Sequence, residues 1–574
     1  MDRQQFRVLY HEFLFRMVDL EVLSVQGDIK QLLGQFGGLL VFFSAMVTLG
    51  AMFFDPRHRS PAAAMATIWG VQHFLIATTM LVMGLFAVLS WDSTFPDRRD
   101  VLVLAPLPIR PRTIFSAKAA ALGAALGLTV AALNGLPALT WGLFLFPPDG
   151  SGLLGPFRAV AAYWLSALAG GAFVFFSVLT VQGLAGQLPR RWYLRLSAVL
   201  QIAVFCVLLC TYFLEPSLSS AEAFAAPANQ HALAWLPSYW YLGLLEWLNG
   251  SASRPGVAVA ASRAVGGLVV MGLAASVTYL LAYLRTLRKI VEEPDIVPVA
   301  RGGTWLPRFG NPLDTAVVQF SIRTLLRSRQ HRIILAFYLG IGFGILALLA
   351  ELVAQEEKRT HMTTALHQPS IPLLLASVVM LAAWVMGTRA IFGLPIELRA
   401  NWIFRMVELG GAPACLRAGR RALLMLSVVP LCAGATAIYL CLWGWRPVLE
   451  HMAVLALLGA VVTELCLQNF QKIPFTCSYL PGKSRIHMAI VGVWPLIVLI
   501  GPGVYWEWRS LREPMLYAEI VAALLALALA ARWSSARLAR SGEGGVHFEE
   551  EFPPVLQTLN LRFDPTEQPS GRAI

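Results

Sequence analysis

Hydrophobic residues in this chain cluster into long unbroken runs, separated by short charged segments, with little of the two-residue alternation a half-buried strand would show. About twelve such runs are legible, near 34–54, 68–90, 119–146, 159–183, 196–214, 260–284, 333–353, 371–392, 422–444, 448–468, 486–505 and 515–533. Crossing the hydrocarbon layer takes about 20 apolar residues in a helix, and each run approaches or exceeds that length. Transmembrane barrel strands alternate over about 10 residues, so the pattern excludes a barrel. It predicts an all-α polytopic membrane protein with about twelve transmembrane helices.

Two stretches have a different period. Phe6, Leu9, Tyr10, Phe13, Leu14, Met17 and Leu20 recur at three- and four-residue spacing against Arg3, Arg7, Glu12, Arg16 and Asp19. Residues 4–25 therefore read as an amphipathic helix lying along the inner leaflet. Residues 313–332 repeat the design, with Val318, Ile322, Leu325 and Leu326 opposed to Arg323, Arg327 and Arg332. The first precedes span one and the second precedes span seven. The chain thus reads as two parallel six-span repeats, since an inverted repeat would need an odd number of spans. The divisions are 1–33, an amphipathic helix; 34–284, the first half; 285–332, a cytoplasmic linker and second amphipathic helix; 333–533, the second half; and 534–574, a cytoplasmic tail.

Composition agrees with the pattern. Of 574 residues, 57% are apolar and 14% charged, and the mean hydropathy is +0.63, whereas soluble domains carry roughly 25% charged residues. With the N-terminus inside, most of the 45 Lys and Arg fall in cytoplasmic segments, which places both termini in the cytoplasm and the protein in the plasma (inner) membrane. The same distribution accounts for the net charge of +12. The charges are dispersed beside spans facing anionic lipid and form no nucleic-acid stripe. No cleavable signal peptide is expected, because an amphipathic segment precedes the first apolar run. None of the seven cysteines falls in an outer loop, so no structural disulfide is expected.

Candidate chemistry is sparse. PGKS at Pro481–Ser484 resembles the end of a phosphate loop, but Cys477 occupies the required glycine position. No zinc-protease or serine-hydrolase motif occurs, and no catalytic, cofactor or metal residues are assigned; the chain does not read as an enzyme. Glu464 is the best-placed intramembrane carboxylate, within about one turn of the inner surface. His451 and His487 read as isolated. The outer connection 215–256 contains LAWLPSYWYLGLLEWLNG, aromatic, broken by Pro237 and too short to span. It reads as a re-entrant helix pair, with a shorter echo at PGVYWEWRSLREP.

What remains is a charged cytoplasmic segment after the second span of each half. Phe95 and Pro96 are followed by Asp97, Arg98, Arg99 and Asp100. In the second half Leu394 and Pro395 are followed by Glu397, Arg399, Asn401 and Arg405. Pro96 and Pro395 stand 299 residues apart, as do Lys118 and Arg417. These stretches, FPDRRDVLVLAPLPIRPRTIFSAK above all, resemble the permease component of ATP-binding-cassette exporters of the ABC-2 type. The resemblance implies connecting helices at 4–25 and 313–332, coupling helices near 95–105 and 395–410, and a re-entrant element near 233–249. It also implies separate ABC ATPase subunits, in two copies, that carry ATP and magnesium and drive an unidentified substrate outward. An ion-coupled secondary transporter and a non-transporting membrane assembly protein are the alternatives.

Overall fold

The computed structural model describes residues 3–18, 38, 41–42, 44–45, 61–94, 107–143, 155–218, 230–250, 256–292, 307–360, 367–395, 411–468, 472–476 and 500–541. Among the described residues all regular structure is helical. The first half contains α1 (Arg3–Val18), α2 (Pro61–Leu89), α3 (Trp91–Thr94), α4 (Pro111–Leu143), α5 (Gly155–Gly186), α6 (Arg190–Leu218), α7 (Gln230–Trp235), α8 (Pro237–Leu248) and α9 (Val257–Glu292). The second contains α10 (Pro312–Arg327), α11 (Arg329–Thr360), α12 (Ile371–Phe392), α13 (Gly411–Leu423), α14 (Val429–Leu442), α15 (Trp445–Cys466) and α16 (Pro514–Ser541). Residues 500–510 are also helical.

Ten of these helical stretches are long and apolar enough to cross a membrane, and the chain is a multi-pass membrane protein. They coincide with ten of the apolar runs. The other two, 34–54 and 486–505, lie mostly outside the described residues. Two helices extend past the apolar runs that mark them. The last helix runs on to Ser541, beyond the start of the expected tail, because RWSSARLAR contains no helix breaker. α9 likewise continues past its apolar run, to Glu292.

Proline does not end two of the helical stretches that contain it. α4 passes through Pro137. Before Pro430 a single π turn, Leu424–Val428, joins α13 to α14. Proline supplies no N–H to the preceding turn, and widening that turn lets the Val429 N–H reach the Leu424 carbonyl instead.

Each half has its own apolar core. In the first, Met83, Val130, Tyr163 and Tyr241 are among the buried side chains; in the second, Leu374, Val385, Leu423 and Leu455. The halves meet where α11 lies against α6, with the Phe205 and Phe337 rings 4.3 Å apart. Close approach depends on glycine. A Cβ at Gly340 would overlap the Phe205 ring, and one at Gly344 the Phe213 ring. α9 and α16 remain apolar and largely uncovered by protein, as lipid-facing helices are.

The aromatic segment broken by Pro237 forms two short helices. α7 ends at Trp235, Leu236 is extended, and Pro237 opens α8 at N1. Tyr241, Leu242, Leu244 and Leu245 are buried. Gly243 lets α8 press against Ala260 of α9.

Candidate functional site

The amphipathic helix α10 is built to start at a fixed point. The Asn311 side chain caps it, accepting from the Leu313 N–H at 3.0 Å, and Pro312 occupies the first turn. Thr315 accepts from the Phe309 N–H at 2.8 Å, which ties down the preceding chain. Asp314 follows in the first turn, where a carboxylate complements the helix dipole.

Asp314 is also fully buried, and its partners come from α13. Arg421 Nη1 donates to Oδ2, and Arg417 Nε lies 3.7 Å from the same oxygen. The spacing of Arg417, Arg420 and Arg421 spreads three guanidinium groups over adjoining faces of one helix. Arg420 therefore turns the other way, onto Glu464 of α15, where Nη2 donates to Oε2 at 2.9 Å and Nε pairs with Oε1. One basic turn thus fastens α13 to both α10 and α15. Glu464, the carboxylate singled out in the sequence, is half of a buried ion pair.

The buried face of α10 departs from the apolar stripe read in the sequence. It runs through Asp314, Val317, Val318, Ser321 and Thr324, while Leu326 is exposed. Of the polar members, Asp314 pairs through Oδ2 with α13, and Ser321 Oγ donates to the Val317 carbonyl at 2.8 Å.

Immediately beyond α10 the chain turns at extended Ser328 into α11. His331 Nε2 lies 3.0 Å from the Leu394 carbonyl oxygen and Nδ1 2.5 Å from Ser328 Oγ. A carbonyl only accepts, so Nε2 carries a proton; in the neutral ring Nδ1 then accepts the Ser328 hydroxyl. The end of α12 is held from a second side by Phe475. That residue adopts a left-handed backbone, φ 66°, which lets its N–H reach the Phe392 carbonyl at 3.0 Å. Its ring meets those of Phe392, His331 and Phe320 at 5.2, 5.1 and 6.1 Å.

The first half places its parts similarly with other residues. α1 lies along α4, burying Leu9 and Phe13, and Lys118 Nζ stands 5.4 Å from the Phe13 ring centroid. The chain leaving α3 is held by Tyr279 of α9, whose hydroxyl donates to the Thr94 carbonyl at 3.0 Å. Gln201 of α6 donates to the Val88 carbonyl at 2.8 Å.

The expected partner-contact residues begin where these clamps end. Pro395 is half-buried next to the clamped Leu394. Phe95, Pro96, Asp97, Arg98, Arg99, Asp100, Glu397, Arg399 and Arg405 lie outside the described residues, as do Cys477 and the PGKS stretch.

The opposite end of the bundle holds polar groups that the sequence reading passed over. His451, read there as isolated, is completely buried between Ser377 of α12 and Glu507 of the 500–510 segment. Its Nε2 lies 2.7 Å from Ser377 Oγ and its Nδ1 2.6 Å from Glu507 Oε1. Glu507 falls in the stretch read as an outer echo, but it shares the buried face of Val504 and Ser510. That three-residue spacing was the available signal. In the first half His73 Nε2 lies 2.8 Å from Ser238 Oγ, tying α2 to α8. Below it Asn134 bonds Thr79 at 3.0 Å and accepts from the Tyr163 hydroxyl at 2.7 Å.

No group of three or more His, Cys, Asp or Glu side chains among the described residues is placed to hold a metal ion. Comparison with family models gave no match, and neither curated proteins nor solved structures matched the chain. The class rests on the helices themselves: a multi-pass, all-helical membrane protein.

Proposed function

We propose that this chain is the transmembrane permease subunit of an ATP-binding-cassette exporter of the ABC-2 kind, moving an unidentified substrate outward. Separate ATPase subunits, two copies, bind ATP and magnesium and supply the energy. In this reading the bundle is two parallel six-span repeats in the plasma membrane with both termini cytoplasmic. α1 and α10 are the connecting helices, and the segments after Thr94 and Leu394 are the coupling elements. The observation that carries the reading is the pair of clamps: each candidate coupling segment leaves a helix end that is hydrogen-bonded at its last carbonyls, near an amphipathic helix docked on the next span. A push on either segment would reach the bundle through groups that cannot yield separately. ATP-driven association of the partners would then favour one arrangement of the bundle by binding it better.

The test is co-purification of the full chain from its native membrane, with assay of a stoichiometric ATPase. Alanine at Asp97, Arg98 and Arg99 together is expected to abolish association and nucleotide-dependent transport while leaving the helical content unchanged. Intact association in that variant removes the proposal. A second reading, an ion-coupled carrier, is favoured by the buried His451–Glu507 pair, since ionisable groups within a bilayer commonly mark ion pathways. Transport that collapses with a protonophore and ignores ATP would select it.

A further inference from the structure

Two exposed arginines hold the ends of the α7–α8 pair. Arg158 of α5 donates through Nε to the Leu248 carbonyl at 2.6 Å, and Arg263 of α9 through Nη1 to the Ala234 carbonyl at 2.9 Å. Both carbonyls stand at helix C-terminal ends, where acceptors are left over and a cation suits the dipole. Neither arginine forms an ion pair with a carboxylate among the described residues.

Arg263 differs from Arg158 in what surrounds it. It lies on the uncovered face of α9, in line with Gly266, Val270 and Leu273 at helical spacing. Val270 and Leu273 are 60% and 63% exposed, and a Cβ at Gly266 would meet open space. Next to the carbonyl it holds, Trp235 is 75% exposed. Trp240 Nε1 fixes that carbonyl from a second side at 2.8 Å. The guanidinium is therefore anchored at one of its five N–H groups, against an acceptor that is itself held.

The sequence of α9 sets the depth of this group. No charged residue occurs from Ala264 to Leu284. Arg263 and Arg285 bracket the stretch about 33 Å apart at 1.5 Å per residue, and a hydrocarbon layer is about 30 Å thick. With Arg285 at one boundary, where Nη1 reaches Gln187 Oε1 at 3.4 Å, Arg263 stands at the other. That is the level at which lipid phosphates lie.

A cation on an apolar surface, met by the protein only through a neutral carbonyl, is costly unless an anion joins it. The anion present at this depth and on this face is a phospholipid phosphodiester, and the planar fork of arginine matches two of its oxygens. Free phosphate shares that chemistry but has no acyl chains to cover Val270 and Leu273. We propose that Arg263 and Trp235 form a phospholipid headgroup site at the junction of α7 and α8. The phosphate sits on the Arg263 guanidinium, the Trp235 indole lies among the headgroups, as amphipathic rings do, and the acyl chains run along Gly266, Val270 and Leu273. The inference requires neither transport reading.

The experiment is photo-crosslinking of the full chain carrying benzoylphenylalanine in place of Val270, in maltoside micelles with equal amounts of dioleoylphosphatidylglycerol and dioleoylglycerol. Attached lipid is identified by mass spectrometry. The wild-type site is expected to capture the phospholipid in preference to the phosphate-free lipid. Arg263→Gln is expected to lower that preference about tenfold, the size of one charge-assisted hydrogen bond. Arg263→Lys and Arg158→Gln are expected to keep most of it, and Trp235→Ala to weaken it a few-fold. Excess inorganic phosphate is expected to leave the yield unchanged. Equal capture of the two lipids by the wild type overturns the site. So does an unchanged preference in Arg263→Gln, even with a lowered unfolding midpoint, since Arg263 would then only cap α7. Competition by inorganic phosphate overturns it too, by assigning the arginine to a soluble anion.

Discussion

His331 holds the carbonyl oxygen of Leu394 at 3.0 Å, so the turn between α10 and α11 and the point where α12 releases the chain are one hydrogen-bonded unit. A buried acceptor that loses its donor costs about 1–3 kcal/mol. His331→Ala is expected to lower the thermal unfolding midpoint in detergent by a few degrees. It should also raise amide exchange at 392–394 while leaving 371–380 protected. Equal exchange along the whole helix would mean that the bond does not localise the clamp.

Asp314, Arg417 and Arg421 act as a group. Because Asp314 is buried and the arginines are half-exposed, removing an arginine is expected to harm more than neutralising the acid. Arg421→Ala leaves a buried carboxylate short of a donor, whereas Asp314→Asn leaves arginines that water can solvate. In a double-mutant cycle read by thermal denaturation, the pair should lose less than the sum of the single changes, by about 0.5–3 kcal/mol. Strict additivity would deny the contact.

Glycines at the α6–α11 seam should separate from glycines facing lipid. Gly340→Leu forces the Phe205 ring aside and is expected to destabilise by about 1–3 kcal/mol. Gly434→Ala meets nothing within 4 Å and is expected to be neutral or stabilising by up to about 1 kcal/mol. Thermal stability of the two purified variants measures the contrast.

The proposed topology makes a sidedness prediction. Single cysteines replacing Arg99 and Arg399 are expected to react with an impermeant maleimide only after permeabilisation, and one replacing Trp235 in intact cells. Opposite behaviour of Arg99 and Arg399 would remove the parallel repeat and with it the permease reading.

Exposed apolar runs of about 20 residues have one stable solution in a bilayer, because every backbone group must be paired within the helix. Hence the positions of ten spans and the break at Pro237 were legible from residue order, whereas the buried face of α10 and its end at Arg327 were not. The clamps were not. His331 and Leu394, or Tyr279 and Thr94, are linked only when separate helices pack, and no local pattern distinguishes a histidine aimed at a distant carbonyl from one in an apolar face. Glu464 shows the same limit, since its role changed once Arg420 was beside it.

The sequence by itself determined that the chain is a helical, multi-pass membrane protein and where ten of its apolar helices lie, since those follow from periodicity and hydrophobic length. Only the tertiary structure decided which buried polar groups meet. In a low-dielectric interior an isolated Asp314, His451 or Glu507 would be costly, and each is tolerated because packing delivers a partner from another helix to within hydrogen-bonding distance.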